Sequence, residues 1–554
     1  LAPRPSPLAD AVAPGNPYLG VMLPYTPLHH LLMEALARPV VCTSGNLSEE
    51  PMAIDTPDAL VRLAPIADRL LVHDRPIVRP VDDSVARLGP QGLQVLRRAR
   101  GYAPLPIRLR FAAPPILALG GHLKNAVALS LGDGTGAASV VLSPHVGDLD
   151  NVLSVEVFRR AIDDLVEFFA VVPQRVACDL HPDYASTRQA EELAGRWNVP
   201  LVRVQHHHAH VAACMAEHGL EGPVLGLAWD GTGYGPDGTV WGGEALVCRG
   251  SEFRRLAHLR TFGLPGGDRA VREPRRTALG LLFEILGQGA LPLVEYWFRP
   301  AERKVLPALL ASRRHTPRTS SMGRLFDAVA ALVGLPPVVT FEAQAAMALE
   351  FAADPSVEEA YPLPLVPAGA VEELSVVSCQ LSSPDSPPLA RERSAVSDQR
   401  SAGAKPADSP LAPRPSPLAP RPSPLLTADW EPLARAVLAD RAAGEPVGRI
   451  SARFHNALAE LAVAVARHGD CGQVCLSGGC FQNALLTERV FQRLTASGYS
   501  VFMHRQVPPG DGGIALGQVF VAAYCQLPVA SRNRRPTAGN CPPSSDNRQL
   551  TTDN

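Results

Sequence analysis

The sequence predicts an α/β fold in which a short α/β unit is followed by a larger, internally duplicated α/β domain. Three observations carry this. The segments ILALGG at 116–121, 125–132 and 138–143 read as three successive strands with glycine turns. The segments VLGLAWD at 224–230, 231–238 and 239–248 repeat that plan further along. A third element, QVCLSGGCFQN at 473–483, reads as a strand, a Gly-Gly turn and a helix start. Glycine turns let backbone N–H groups approach phosphates closely. Hairpins need glycine in any case, so each turn alone says little; the three together point to ATP.

The bulk numbers agree. With 554 residues, two to four domains are expected. Hydrophobic residues make up 46% and charged residues 19%, enough to build cores. The net charge is −2 and the pI about 6.8, so no basic excess points to nucleic acid. No run of roughly 18 or more apolar residues suggests a membrane span, and no signal peptide is visible. None of the ten cysteines forms a CxxC pair. Cys471, Cys475 and Cys480 fit no standard spacing and read as reduced thiols of a cytoplasmic protein. The chain opens at Leu1 rather than Met, which marks an unusual start or a piece of a longer chain.

Along the chain, residues 1–16 are rich in proline and read as disordered, and 17–105 read as mixed α/β with ARPVVCTS at 37–44 as a buried strand. Residues 112–367 and 428–527 form two parts of one globular domain, and 528–554 read as a disordered tail. Between the two parts, 368–427 reads as a proline-rich insertion. LAPRPSP stands there twice in tandem, at 411–417 and 418–424, and once more at 1–7. Proline at every second or third position cannot pack as helix or sheet, so these repeats read as spacers.

The sharpest local signal is a histidine cluster. A strand at 201–205 leads into His206, His207, His208 and His210, then a helical run to His218 with Gly219 as a stop. His206 and His210, four apart, share a helix face and can hold one divalent ion. His207 and His208 point elsewhere, toward phosphate or supporting contacts. The bland reading is a polar helix start, but four histidines in five positions favour a metal. Asp230, ending an apolar strand, and Asp511, in PPGDGG before a helix, are candidate further ligands. The bland reading of either aspartate is a turn or helix cap.

The motifs GGHLKN at 120–125, LSPHVGDLDN at 142–151, DLHPDYAST at 179–187, VQHHHAH at 204–210, WDGTGYGPDGTVWGGE at 229–244, LPGGDRAVREP at 264–274, GRLFDAVAALVG at 323–334 and LSGGCFQN at 476–483 resemble, in that order, the HypF hydrogenase-maturation carbamoyltransferases. The transferase domain of that family resembles the tRNA threonylcarbamoyl transferases. Both belong to the actin and sugar-kinase (ASKHA) superfamily, which agrees with the duplicated meander. GVMLPYTPLHHLL at 20–32, TSGNLSEEP at 43–51, HDRPI at 73–77, DDSVAR at 82–87 and RRARGYAP at 97–104 resemble the latter half of the family's YrdC-like domain. The family pattern also has an acylphosphatase-like domain, two zinc-finger modules and the front half of the YrdC-like domain, none of which this sequence matches. The chain is therefore not expected to perform the whole reaction alone.

The resemblance implies a reaction. Carbamoyl phosphate supplies a carbamoyl group, ATP adenylates it, and the group passes to the C-terminal cysteine of a partner, HypE. It also implies roles. A divalent metal, zinc or iron, is held by His206, His210, Asp230 and Asp511. Asp230 and His207 act in catalysis. Gly478, Gly479, Asn483, Asp327, Glu342 and Lys124 contact nucleotide in the transferase domain, and Ser44 and Asn46 in the YrdC-like segment. Three other readings compete. A tRNA threonylcarbamoyl transferase shares the metal histidines but sits poorly with the neutral pI. A sugar kinase or chaperone-like ATPase shares the glycine turns and does not need the histidines. A truncated binding module would hold ATP and the partner and transfer nothing.

Overall fold

The computed structural model describes residues 9–48, 50–312, 315–368, 380–382 and 424–525. Its first sheet is built from β1 (Ile107–Ala112), β2 (Ile116–Ala118), β3 (Ala128–Ser130) and β4 (Ala137–Leu142). Helix α1 (Val152–Phe169) then leads to β5 (Arg175–Asp179), and α2 (Ala185–Trp197) to β6 (Leu201–Val204). The strands lie in the order β6-β5-β2-β3-β4-β1, with Gln380–Ser382 antiparallel on the β6 edge. From β2 to β4 the pairing is antiparallel; β2, β5 and β6 run parallel. The side chains of β2 are wholly buried and those of β5 nearly so, as strands covered on both faces require.

Helix α3 (His206–His218) crosses to a second sheet. That sheet contains β7 (Val224–Tyr234), β8 (Val240–Arg249) and β9 (Glu252–Leu259); helix α4 (Met322–Leu332) follows. It is completed by β10 (Leu426–Ala428) and, after α5 (Val447–His468), by β11 (Gln473–Ser477). Helix α6 (Ala484–Ala496), β12 (Ser500–Met503) and α7 (Ile514–Tyr524) end the described residues. The order is β10-β9-β8-β7-β11-β12. Again β7, β8 and β9 form an antiparallel meander, and β7, β11 and β12 run parallel. The duplication expected from the two glycine-rich runs is thus a repeat of one topology.

The second copy is offset from the expected one. Residues 231–238 are not a separate strand: β7 continues through Gly233 and Tyr234, paired with Trp241 and Val240. The third strand of that meander is β9, not 239–248. Gly233 is needed for close approach, because a Cβ there would lie 2.4 Å from the His207 ring.

One hydrophobic cluster runs from β1 through α3 and α7 to β7 and β8, so the two sheets share a core around the histidine helix. Gln205 caps that helix by accepting from His208 N at 2.9 Å, and Gly219, at φ 65°, ends it.

The N-terminal segment has two helices, Pro27–Leu36 and Thr56–Arg62, neither of which buries a residue, and a hairpin of Val85–Gly89 with Gly92–Arg97. The strand expected at 37–44 does not form; Val40 and Val41 are exposed, and an apolar run without a neighbour to pair with has no ladder to join. Residues 9–16 include a single 3-10 turn, Asp10–Val12, while 1–8, both tandem LAPRPSP repeats up to 423 and the tail after 525 lie outside the described residues. Strand β10 begins inside the expected insertion. Cys471, Cys475 and Cys480 carry free thiols, as expected, and do not converge on one site, whereas Cys525 is disulfide-bonded. The stretch Pro274–Trp297 is long and apolar enough to cross a membrane by composition, but Ala278, Leu279, Leu281 and Leu282 are fully buried, as in a core helix.

Candidate metal centre

Four ligand atoms converge where α3, the end of β7 and the start of α7 meet. His206 Nε2 lies 3.4 Å from Asp230 Oδ2 and 3.7 Å from Asp511 Oδ1. His210 Nε2 lies 3.2 Å from Asp230 Oδ2 and 3.6 Å from Asp511 Oδ1. Ligands about 2.1 Å from a tetrahedral ion stand about 3.4 Å from one another. The four histidine–carboxylate distances match that spacing, and no other grouping of three or more such side chains occurs among the described residues. A neutral-imidazole and carboxylate set suits zinc or iron.

The local sequence explains the convergence. Helical spacing puts His206 and His210 on one face. Asp230 lies near the end of the apolar part of β7, and its Oδ1 is held by Gly479 N at 2.9 Å. Asp511 opens the turn before α7. Burial opposes charge on His206, but Asp179, Asp230 and Asp511 outweigh it and hold the imidazole well above its ordinary pKa. Burial likewise opposes charge on Asp230 and Asp511, and the two histidines hold both carboxyls well below the usual range. Such a site is full of exchangeable protons that a cation would replace.

Asp179 was missed. Its Oδ2 accepts from His206 Nδ1 at 2.8 Å, with both side chains buried, so it fixes the tautomer that turns Nε2 inward. The available signal was that β5 ends VACD much as the apolar part of β7 ends LAWD. His207 is fully buried, its Nδ1 3.2 Å from Gln205 Nε2 and its Nε2 without a partner. Burial and the neighbouring His206 push it well below its ordinary pKa. His208 turns away and packs on Phe253, and burial lowers it to about 4.

The other expected site residues divide. Gly478, at φ 97°, lies against the Trp229 backbone, where a Cβ would be 2.2 Å from Trp229 O. Asn483 caps α6 by accepting from Leu486 N at 2.8 Å, and its Nδ2 lies 2.9 Å from His455 Nε2. Lys124 and Glu342 form an ion pair with each other, and Lys124 N donates to Asp148 at 2.7 Å. Asp327 is buried 3.0 Å from Arg324 Nη2, while Arg324 Nε and Nη1 have no partner. Burial, against the pull of Arg324, raises Asp327 to about 6. Ser44 and Asn46 stay in the N-terminal segment, where Asn46 N bonds to Ser44 O and its side chain to Leu47 O.

Two halves of one topology, joined through a helix that turns two imidazoles toward two carboxylates, define an actin- and sugar-kinase-like protein with a candidate metal site. The comparisons narrow this. Residues 226–383 and 407–518 match the family described as carbamoyltransferase, Kae1-like domain, second subdomain. Residues 111–217 match the HypF Kae1-like domain, and 1–99 match the Sua5/YciO/YrdC family described as telomere recombination. The chain is 40% identical to carbamoyltransferase HypF of Synechocystis sp., over 93% of this chain and 61% of that one. It is 42% identical to carbamoyltransferase HypF2 of Cupriavidus necator, over 92% and 61%. A carbamoyltransferase HypF homolog of the same organism is 36% identical over 77% of this chain and 94% of its own. Full-length HypF in its phosphate- and nucleotide-bound form superposes with a TM-score of 0.78 at 37% identity, covering 94% of this chain and 72% of that one. The chain belongs to the HypF carbamoyltransferase family, and it spans about three fifths of the length of the first two relatives.

Proposed function

We propose that this chain carries the carbamoyl-transfer step of hydrogenase maturation, with ATP and carbamoyl phosphate as the source of a carbamoyl adenylate and the C-terminal cysteine of HypE as acceptor, in the cytoplasm. The observation that supports it most is the convergence of His206, His210, Asp230 and Asp511, beside the Gly478–Gly479 turn. A divalent ion held there would neutralise charge on the leaving phosphate. Transfer forms a bond from the acceptor sulfur to the carbamoyl carbon and breaks the bond from that carbon to the phosphate oxygen, with AMP leaving. The remaining work is positioning and charge stabilisation. Asp230 orients the site by holding both imidazoles and Gly479 N. His207, with a free Nε2 one ring away from both ligand histidines, supports it. Gly478, Gly479, Asn483, Asp327, Glu342 and Lys124 surround the nucleotide, and Ser44 and Asn46 serve the first domain.

The test is transfer itself. Preformed carbamoyl adenylate and HypE are supplied to the full chain, and the mass of the HypE C-terminal peptide is read. A gain of one carbamoyl group, lost in the His206→Ala/His210→Ala variant, is the expected result. No gain with ATP still bound would make this chain a binding module.

A further inference from the structure

Asp511 reaches the site at the end of a loop, 504–510, that leaves β12, and the hydrogen bonds of that loop lead to two residues without an assigned role. Glu217 lies on α3, seven residues after His210 and so on the same helix face. Its Oε1 accepts from the backbone N–H of Arg505 at 3.0 Å and of Gln506. Its Oε2 lies 3.0 Å from His504 Nδ1, with both side chains 1% exposed. His504 Nε2 continues the chain to Ser477 Oγ at 2.8 Å, which lies 2.9 Å from the carbonyl oxygen of the ligand residue His210. From the other side, Arg98 Nη1 donates to Gln506 O at 3.0 Å and Val95 N to Arg505 O at 3.3 Å. Gly478 N then fastens Pro509 O at 2.8 Å, two residues before the ligand.

The order Ser477, His504, Glu217 resembles an activated nucleophile. Ser477 is fully buried, however, and its hydroxyl already faces two acceptors, so no substrate reaches it. The network does something else. One helix supplies two ligands and, two turns later, the carboxylate that grips the loop bringing a third. The opposite grip comes from the N-terminal segment.

We propose that Glu217 and Arg98 are positioning residues for the metal centre, acting through the loop 504–510 on Asp511. This rests on the metal reading of His206, His210, Asp230 and Asp511. It makes the YrdC-like segment a contributor to cation affinity although none of its residues is a ligand.

The experiment is a mutant cycle on the full chain, with Zn²⁺ affinity from chelator competition, the visible spectrum of the Co²⁺ form, and metal-free melting curves. Glu217→Ala is expected to weaken Zn²⁺ binding about 10- to 100-fold, the range for groups that orient ligands. Arg98→Met is expected to weaken it about 10-fold, and Glu217→Gln, which keeps one acceptor oxygen, less than Glu217→Ala. In an Asp511→Ala background none of the three should weaken binding further, since their effect passes through Asp511. The same fold-loss in both backgrounds, or wild-type affinity in a folded Glu217→Ala protein, overturns the proposal. If Glu217→Ala does not fold, Glu217→Gln and Arg98→Met complete the cycle. A wild-type chain that binds neither Zn²⁺ nor Co²⁺ overturns the metal reading itself and is seen before any variant is made.

Discussion

His206 and His210 share a helix face but answer to different neighbours. His206 is tied on its far nitrogen to Asp179, whereas His210 Nε2 faces Asp230 and Asp511 and its ring packs on those of His206 and His207. Asp179→Asn is therefore expected to weaken metal binding about 10- to 100-fold through misorientation of His206 alone. His206→Ala with His210→Ala should abolish bound metal, read by elemental analysis of the folded protein. Asp327 offers a prediction with a sign. Its folded pKa of about 6 stands above its ordinary value, so the folded state keeps the proton longer than the unfolded chain does. Its contribution to stability is complete below about pH 4 and is lost as pH rises through about 6. Asparagine mimics the protonated acid. Between pH 4 and pH 8, Asp327→Asn should gain about 2–3 kcal/mol on wild type in urea unfolding. A difference that does not change with pH would mean that Asp327 ionises freely in the fold.

At the scale of elements, the crossing of α3 and α7 decides whether the ligands meet. A Cβ on Gly517 would lie 1.8 Å from Ala209 O and 2.9 Å from Ala213 N, so the two backbones touch only because that side chain is missing. Gly→Ala inside a helix ordinarily stabilises by up to about 1 kcal/mol. Here the sign should reverse. Gly517→Ala is expected to cost about 1–3 kcal/mol and to weaken metal binding, because Ala209 lies between the two ligand histidines. A variant as stable as wild type would show that the helices can part. The same contrast explains what the sequence made legible. The His206/His210 pair and Asp230 at the end of an apolar run are local patterns, visible in a few consecutive residues. Asp179 is 27 positions from His206, and His504 is 287 from Glu217, so neither role exists until the chain folds. Residues 231–238 read as a separate strand, yet β7 continues through Gly233 and Tyr234, with a register shift between Trp241 and Gly243. The space left at Gly233 is filled by the His207 and His206 rings and that at Gly231 faces Arg324, which is a property of packing and not of the local run.

For the whole molecule, the question is whether the two parts of the transferase domain need what separates them. Leu365–Pro367 lies antiparallel to β10, with Pro367 opposite Leu426 and Ala368 N bonded to Leu425 O at 2.8 Å. The chain thus leaves the sheet and returns at adjacent points, as the arms of a hairpin do. The family match also passes over 384–406. Replacing 369–424 by Asn-Gly should close that hairpin, since a two-residue turn of this kind follows the twist of paired strands. The replacement also removes Gln380–Ser382 and leaves β6 as an edge, at the expense of one short pairing. Closing a short loop costs less entropy than closing a long one, which offsets part of that loss. The shortened protein should therefore melt within a few degrees of the parent and bind the same amount of Zn²⁺. All four candidate ligands remain in it, because His206, His210 and Asp230 precede the excised stretch and Asp511 follows it. A shortened chain that folds but no longer binds metal would mean that the excised residues help to hold the two parts in register.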